Sequence, residues 1–312
     1  MKRNFFRMYW KQRYLQCLVL IGIVYLAIFS YLPMFGLLMA FKKYSITSGI
    51  SGIFTSEWVG LKYFVEFVTD YKFFTLIKNT LLLSVLKLVF TFPAPILLAV
   101  LLNEVRIPLF KRIVQTASYL PYFISWVIVA GFITLFFSST NGVVNDLLIA
   151  LKIVNEPIQF MTSPKYFLWI AVFSAIWKDT GWWAIIFLAA ITSIDQTMYE
   201  AAEIDGASRL LKIWHITLPG IKSTVTVVLI LALGNLLGGG LSGSNFEQSF
   251  LLGNPGNIDA SEIIQTYVLK VGLSEGRYSY STAVGLMQSF ISVLLIFTSN
   301  FFSKKITGEG LF

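Results

Sequence analysis

Long apolar runs separated by short polar segments dominate the chain. A helix needs about 20 mostly apolar residues to cross a hydrocarbon core of about 30 Å. Six windows reach that length, at 15–41, 76–102, 113–137, 166–193, 221–241 and 280–303. The pattern predicts an all-α integral membrane protein with six transmembrane helices. The segments left over include an N-terminal stretch at 1–14, expected in the cytoplasm, a long loop at 42–75, expected outside, and a short tail at 307–312. The first run lacks a small-residue cleavage site and reads as a retained span, not a removable signal.

Composition agrees, with 56% hydrophobic and 13% charged residues among 312. The formal net charge is +8, from 24 Lys and Arg against 16 Asp and Glu. Most of that excess falls in short clusters between apolar runs, where topology-setting charges belong, and this argues against a nucleic-acid partner. Lys2, Arg3, Arg7, Lys11 and Arg13 precede the first span; Arg106, Lys111, Arg112, Arg209, Lys212, Lys222, Lys304 and Lys305 fall on the same side. The opposite side collects most of the acids, among them Glu57, Glu66, Asp70, Asp146, Glu156, Asp259, Glu262 and Glu275. Both termini are therefore expected in the cytoplasm of a multi-pass membrane protein. Cys17, the single cysteine, can form no internal disulfide and reads as a lipid- or helix-facing residue.

Helix breakers add detail. Pro93 and Pro95 can kink the second span, and Gly238–Gly240 with Gly243 loosen the end of the fifth. Irregular backbone in lipid is tolerated only against protein or a water-filled cavity. The glycines are thus either pathway lining or the start of a loop. Residues 254–279 are polar, with room for a short helix around 261–271. No internal repeat is visible, which weighs against an inverted-repeat secondary transporter.

Between the fourth and fifth spans, the segment 195–219 carries the most specific pattern. Thr197 and Glu200 have capping-box spacing and predict a short helix. Ala201 and Ala202 present almost no side chain to an approaching surface, and Gly206 permits the turn that ends the helix. A second helix over 207–217 would run up to Pro219. The segment reads as a docking element, or else as a loop helix lying on its own protein.

Glu200-Ala201-Ala202, three residues, Gly206, nine residues, Ile216, one residue and Leu218-Pro219 together resemble the signature loop of binding-protein-dependent ABC importer permeases. Tyr119–Trp126 and Trp177–Tyr199 look like the carbohydrate-uptake, maltose-permease-like branch. Phe246-Glu247-Gln248, Thr266-Tyr267-Val268 and Tyr278–Leu286 are similar to its polysaccharide and oligosaccharide permease subgroup. The resemblance covers nearly the whole chain from about residue 15. One departure is Gly239–Ser244, where the chain carries extra residues before Phe246.

The resemblance implies a type I ABC importer permease core at 76–306, made of spans two to six, with a peripheral first helix. It also implies partners: a second homologous permease, two ATPase subunits that bind ATP and Mg, and an extracellular solute-binding lipoprotein that delivers an oligosaccharide. The host compartment would be the bacterial cytoplasmic membrane. Glu200, Ala201, Ala202, Asp205, Gly206, Leu218 and Pro219 would couple the chain to the ATPase. No G-x-x-x-x-G-K-[ST] loop occurs, so the chain has no phosphate cradle of its own and is expected to be a non-catalytic subunit without a cofactor.

For the substrate path, the strongest cue is Lys178-Asp179 near the middle of span four, where an ionisable side chain costs about 2.5–3.5 kcal/mol on insertion scales. Neighbours in sequence on a helix do not face one another. Each therefore needs a partner elsewhere, either a sugar hydroxyl or acidic group, or a protein carbonyl. Trp182 and Trp183 offer flat faces suited to sugar rings, or serve as packing and interfacial anchors. The resemblance adds Asn235, Asn245, Glu247 and Gln248.

Other chemistry finds little footing. His215, the single histidine, has no Cys, His or carboxylate set at metal spacing, so no metal site is expected. Glu200 and Glu203 lie inside the docking motif, and no nucleophile elbow or other catalytic motif occurs. A permease for a non-carbohydrate solute, an ion-coupled secondary transporter and a membrane scaffold are the competing readings. Lys178 and Asp179 would suit ion coupling, but a secondary transporter has no ATPase for the loop to meet.

Overall fold

A computed structural model describes residues 12–308 together with 310 and 311. Of the basic residues before the first span, Lys2, Arg3, Arg7 and Lys11 lie outside the described residues. The described chain is mostly helical, and an isolated bridge between Lys42 and Trp58 is the extended pairing among the described residues. It divides into two compact units. One takes in residues up to Asp70 together with Val268–Met287; the other takes in Tyr71–Tyr267 and the residues from Gln288 on.

The first unit opens with α1 (Arg13–Phe41), an apolar helix of 29 residues. Pro33 has no N–H to give to the preceding turn, and the helix widens to π geometry over Ala27–Tyr31 before tightening to 3₁₀ over Phe35–Phe41. Ala40 is its one buried residue, and Leu18, Ile21, Phe29 and Leu32 stand exposed. Such a surface is stable only against lipid or another chain. Elsewhere in this unit Arg277 pairs with Glu66 and lies over the Tyr280 ring at 4.2 Å, and the Tyr280 hydroxyl donates to Asp70 at 3.2 Å.

The second unit holds α2 (Phe73–Glu104), α3 (Pro108–Phe123), α4 (Trp126–Phe136), α5 (Pro164–Thr192), α6 (Gln196–Ile204), α7 (Arg209–Gly220), α8 (Lys222–Gly234) and α9 (Asn245–Leu252). A last helix, α10 (Tyr278–Thr307), contributes residues to both units. Among the described residues three helices are long and apolar enough to cross a membrane, α1, α2 and the Tyr278–Lys305 part of α10; counting each bent pair as one span gives up to five. Helix α5 is 29 residues long and carries Lys178 and Asp179 in its middle.

The breakers act differently from one another. At Phe92, before Pro93, the backbone stays helical (φ −75°, ψ −45°), so the prolines interrupt the hydrogen-bond ladder without turning the chain out of its helix. The stretch read as one span at 113–137 is instead two helices, α3 and α4, meeting at 101°. A 3₁₀ turn at Leu120–Phe123 ends the first, and the Ser125 side chain caps the second by accepting from the Ile128 N–H at 3.4 Å. The fifth span, expected to reach 241, ends at Gly234. Asn235 stops it by donating from Nδ2 to the Gly240 carbonyl at 3.0 Å, closing a turn in which Gly239, Gly240 and Gly243 all have positive φ.

Two apolar cores lie at different heights on α5. Phe167, Ile170 and Ala171 pack with Leu83, Val129, Ile133 and Leu252; Ala184, Phe187 and Ile191 pack with Ala99, Val100, Ile221 and Val228. Lipid is as apolar as these side chains, so close fit and not exclusion from water holds them. Gly181 shows how close the fit is: a Cβ there would lie 1.9 Å from the Ser118 carbonyl oxygen of α3.

Candidate functional site

Between the two apolar cores lies a layer of buried polar groups contributed by α2, α5 and the Gly-rich turn leading into α9. Lys87 of α2 is fully enclosed, at 0% exposure, and its Nζ donates to Ser244 Oγ at 2.9 Å. Ser244 is in turn hydrogen-bonded to the Ser242 hydroxyl at 2.7 Å. Asn245, also at 0%, donates from Nδ2 to Ser84 Oγ at 2.8 Å and to the Leu237 carbonyl at 3.3 Å. Gln248 donates to the Ala171 carbonyl at 2.8 Å and to Ser174 Oγ at 2.9 Å. Asp179 is 5% exposed, with the Ser242 hydroxyl beside it and the charges of Lys178, Lys87 and Glu247 as its electrostatic neighbours.

The glycines make this turn possible. Gly239 has φ of +110°, and a Cβ on it would come within 2.9 Å of Asn245 Oδ1. A left-handed residue without a side chain lets the chain fold back onto α2 and carry Ser244 to Lys87. This is irregular backbone at membrane depth, buried against protein as the bilayer requires. Of the two alternatives left open by the glycines, the structure shows a turn that starts at Asn235.

Lys178 is held differently. Its Nζ donates to the Tyr122 carbonyl at 2.6 Å and lies over the rings of Tyr122 at 5.1 Å and Trp126 at 5.6 Å. Tyr122 is in the last turn of α3, where carbonyls have no helical partner and the dipole favours a cation. The 101° break thus creates the acceptor that satisfies the lysine. Trp182 stacks on Tyr122 with centroids 4.5 Å apart and planes 5° off parallel.

The structure therefore brings together Lys178, Asp179, Asn245, Glu247 and Gln248, with Trp182 on the rim of the lysine's pocket. Trp183 packs instead with the core around Ala184 and Phe187. Asn235 is exposed and spends its side chain on the Gly-rich turn. Lys87, Ser242 and Ser244 were missed in the sequence reading; a lysine in the middle of the apolar run 76–102, away from its ends, was the available signal. Several acceptors of the layer have no partner: Asp179 Oδ2, Asn245 Oδ1, Glu247 Oε2 and Gln248 Oε1. Nearby, a groove of about 640 Å³ lined by Phe132, Phe136, Phe160, Trp169 and Phe173 is almost wholly apolar and offers a polar ligand nothing.

The second functional surface is the segment α6–α7. The N-cap of α6 is Asp195, whose carboxylate accepts from the Thr197 N–H at 2.9 Å, and not Thr197 with Glu200 as the spacing suggested. That bond holds the Asp195 carboxyl below the usual range. Glu200, Ala201, Asp205, Gly206 and Pro219 are exposed, while Ala202 and Leu218 are half-buried. Gly206 has φ of +77°, which ends α6 and turns the chain into α7. Two ties fasten α6 to α7: Tyr199 OH to Thr217 Oγ1 at 2.9 Å, and Lys212 Nζ to Glu203 Oε1 at 2.6 Å. The lysine's hydrogen bond and charge hold the Glu203 carboxyl below its ordinary value. His215 is exposed, with Nδ1 3.1 Å from the Leu211 carbonyl. Among the described residues no group of three or more His, Cys, Asp or Glu could hold a metal ion.

Comparison with known proteins places these two surfaces in context. Residues 91–308 match the family described as "Binding-protein-dependent transport system inner membrane component". Protein LplB of Bacillus subtilis is 46% identical over 97% of this chain and 92% of its own length. The polygalacturonan/rhamnogalacturonan transport system permease protein YteP of Bacillus subtilis is 45% identical over 97% of this chain and 91% of its own. A chain from the crystal structure of a bacterial alginate ABC transporter in complex with alginate pentasaccharide-bound periplasmic protein superposes with a TM-score of 0.87. It is 37% identical, covering 98% of this chain and 99% of that one.

Proposed function

Because the chain belongs to the family of inner membrane components of binding-protein-dependent transport systems, we propose that it is the transmembrane permease subunit of an ATP-driven oligosaccharide importer, working by alternating access. A second homologous permease completes the pathway, two ATPase subunits hold ATP and Mg, and a solute-binding lipoprotein delivers the cargo. The polysaccharide and periplasmic-protein names of its relatives support the cargo class and the delivering partner. Both termini face the cytoplasm of a bacterial cell, in keeping with the basic clusters on that side.

The observation that carries this reading is the physical continuity between the two surfaces. The exposed helix α6 is tied to α7 by Tyr199–Thr217 and Glu203–Lys212. After Gly220, α7 bends by 61° into α8, and α8 ends in the Gly-rich turn that carries Ser244 to Lys87. A push on α6 from a closing ATPase is thus passed along one covalent path, α7–α8–turn, to the buried polar layer. The layer at the end of that path holds buried acceptors without a protein partner, the kind of group a sugar hydroxyl can satisfy. Lys178, whose Nζ donates to the Tyr122 carbonyl, and Asp179 are read as members of this layer.

The test is ATP hydrolysis by the complex reconstituted with its neighbouring permease, candidate ATPase and binding protein, while oligosaccharides are screened on the binding protein. Stimulation by one sugar class supports the importer and names the cargo. Absence of stimulation by any sugar in an intact complex, with stimulation by another solute, moves the assignment to a non-carbohydrate importer.

A further inference from the structure

The buried polar layer is unbalanced in a way that bears on the cargo. Its amide N–H groups are engaged, Asn245 with Ser84 and Leu237 and Gln248 with Ala171 and Ser174, and each ammonium makes one hydrogen bond, Lys87 to Ser244 and Lys178 to the Tyr122 carbonyl. The buried atoms left without a partner include four carbonyl or carboxylate oxygens, Asp179 Oδ2, Asn245 Oδ1, Glu247 Oε2 and Gln248 Oε1. Asp179, Asn245 and Gln248 are each at least nine-tenths buried. The two amides cannot be turned round to reverse this. Asn245 Nδ2 faces the Leu237 carbonyl and Gln248 Nε2 faces the Ala171 carbonyl, and only an N–H can face a carbonyl oxygen. The unpartnered hydroxyls of Thr91 and Ser249 can donate or accept and favour neither kind of ligand.

We propose that this layer reads its cargo through hydroxyl hydrogen-bond donors and is built for an uncharged sugar unit, not for the carboxylate of a uronic acid; the proposal rests on the reading of the chain as an oligosaccharide permease. A sugar hydroxyl supplies the donor that each orphaned oxygen lacks. A uronate carboxylate supplies none, and it meets Asp179 and Glu247 as like charges. The two lysines do not compensate for this. Lys178 is capped by a carbonyl and two aromatic faces, while Lys87 has Asp179 and Glu247 as its charge neighbours. Two ammonium groups against two carboxylates leave the layer with no net positive field to draw in an anion. In this the chain departs from the acidic cargo named for the alginate transporter it resembles.

The experiment uses the assembled permease–ATPase complex in lipid nanodiscs, without the binding protein, so that the permease's own preference is read. Equilibrium dialysis compares a labelled neutral hexose tetrasaccharide with tetragalacturonate. The neutral sugar is expected to bind at least about tenfold more tightly, given the cost of leaving buried acceptors unpaired. Gln248→Ala should weaken it by about tenfold in a complex that still assembles. Asp179→Asn with Glu247→Gln should narrow the gap by raising affinity for tetragalacturonate, a gain that misfolding cannot imitate. Equal or tighter binding of tetragalacturonate by the unaltered complex, binding of neither sugar, or an unchanged affinity in Gln248→Ala would overturn the proposal. Failure of the underlying reading shows separately, as ATP hydrolysis that no sugar-loaded binding protein stimulates.

Discussion

Lys87 and Ser244, 157 residues apart in sequence, are joined by a 2.9 Å hydrogen bond at a point where neither is reached by solvent. That contact fixes the end of the fifth apolar segment to the middle of the second. It also places an ammonium group within electrostatic reach of Asp179 and Glu247. Removing one member of a buried charge cluster leaves the others uncompensated, at a cost of about 3–5 kcal/mol. Lys87→Met should therefore lower the thermal unfolding midpoint of the complex sharply. Adding Asp179→Asn in the same chain should recover part of the loss, because it removes a charge left without its neighbour. Additive losses in the double variant would show that the two residues do not interact.

Gly181 tests the helix contact that supports the site. With a Cβ position 1.9 Å from the Ser118 carbonyl, Gly181→Val forces α5 and α3 apart. Overpacking typically costs about 1–3 kcal/mol. The same shift draws Lys178 away from the Tyr122 carbonyl, since both contacts join the same two helices. Reduced thermal stability together with loss of sugar-stimulated turnover is the expected result; Gly131→Ala, with nothing within 4 Å of the added Cβ, should change neither.

The fold class and the family signature in the segment 195–219 were legible in the sequence because each rests on local pattern. Apolar run length reports membrane depth, and Glu200-Ala201-Ala202 with Gly206 needs only the conformational freedom of one glycine. What could not be read depends on distant pairing. Nothing near Lys87 says that Ser244 will reach it, and the 101° break between α3 and α4 gives Lys178 its carbonyl only once α5 lies alongside. Trp183 and Asn235 looked like Trp182 and Asn245 by residue type; the helix face of one and the capping duty of the other set them apart. Asp195 was overlooked as the cap of α6 because Thr197 and Glu200 supplied a matching pattern two residues later.

The tie between Glu203 and Lys212 predicts a pH dependence. The lysine holds the carboxyl below its ordinary value. Its contribution is therefore fully present above the unfolded glutamate range, about 4.3, and is lost as pH falls through the lowered folded value. Hydrogen exchange in α6 should show a constant difference between the unaltered chain and Glu203→Gln from about pH 7 down to that range, closing only in stronger acid. A difference that closes well above the ordinary glutamate range would contradict the tie.

The central claim, that ATPase closure reaches the buried polar layer through α6, is tested most directly by Gly206→Pro in the reconstituted complex with cargo-loaded binding protein. Proline cannot adopt the φ of +77° found at this position, so the turn from α6 into α7 is broken while the membrane helices are untouched. The account predicts a complex that inserts and assembles, with sugar-stimulated ATP hydrolysis and uptake both lost. Stimulated hydrolysis at the unaltered level would contradict it.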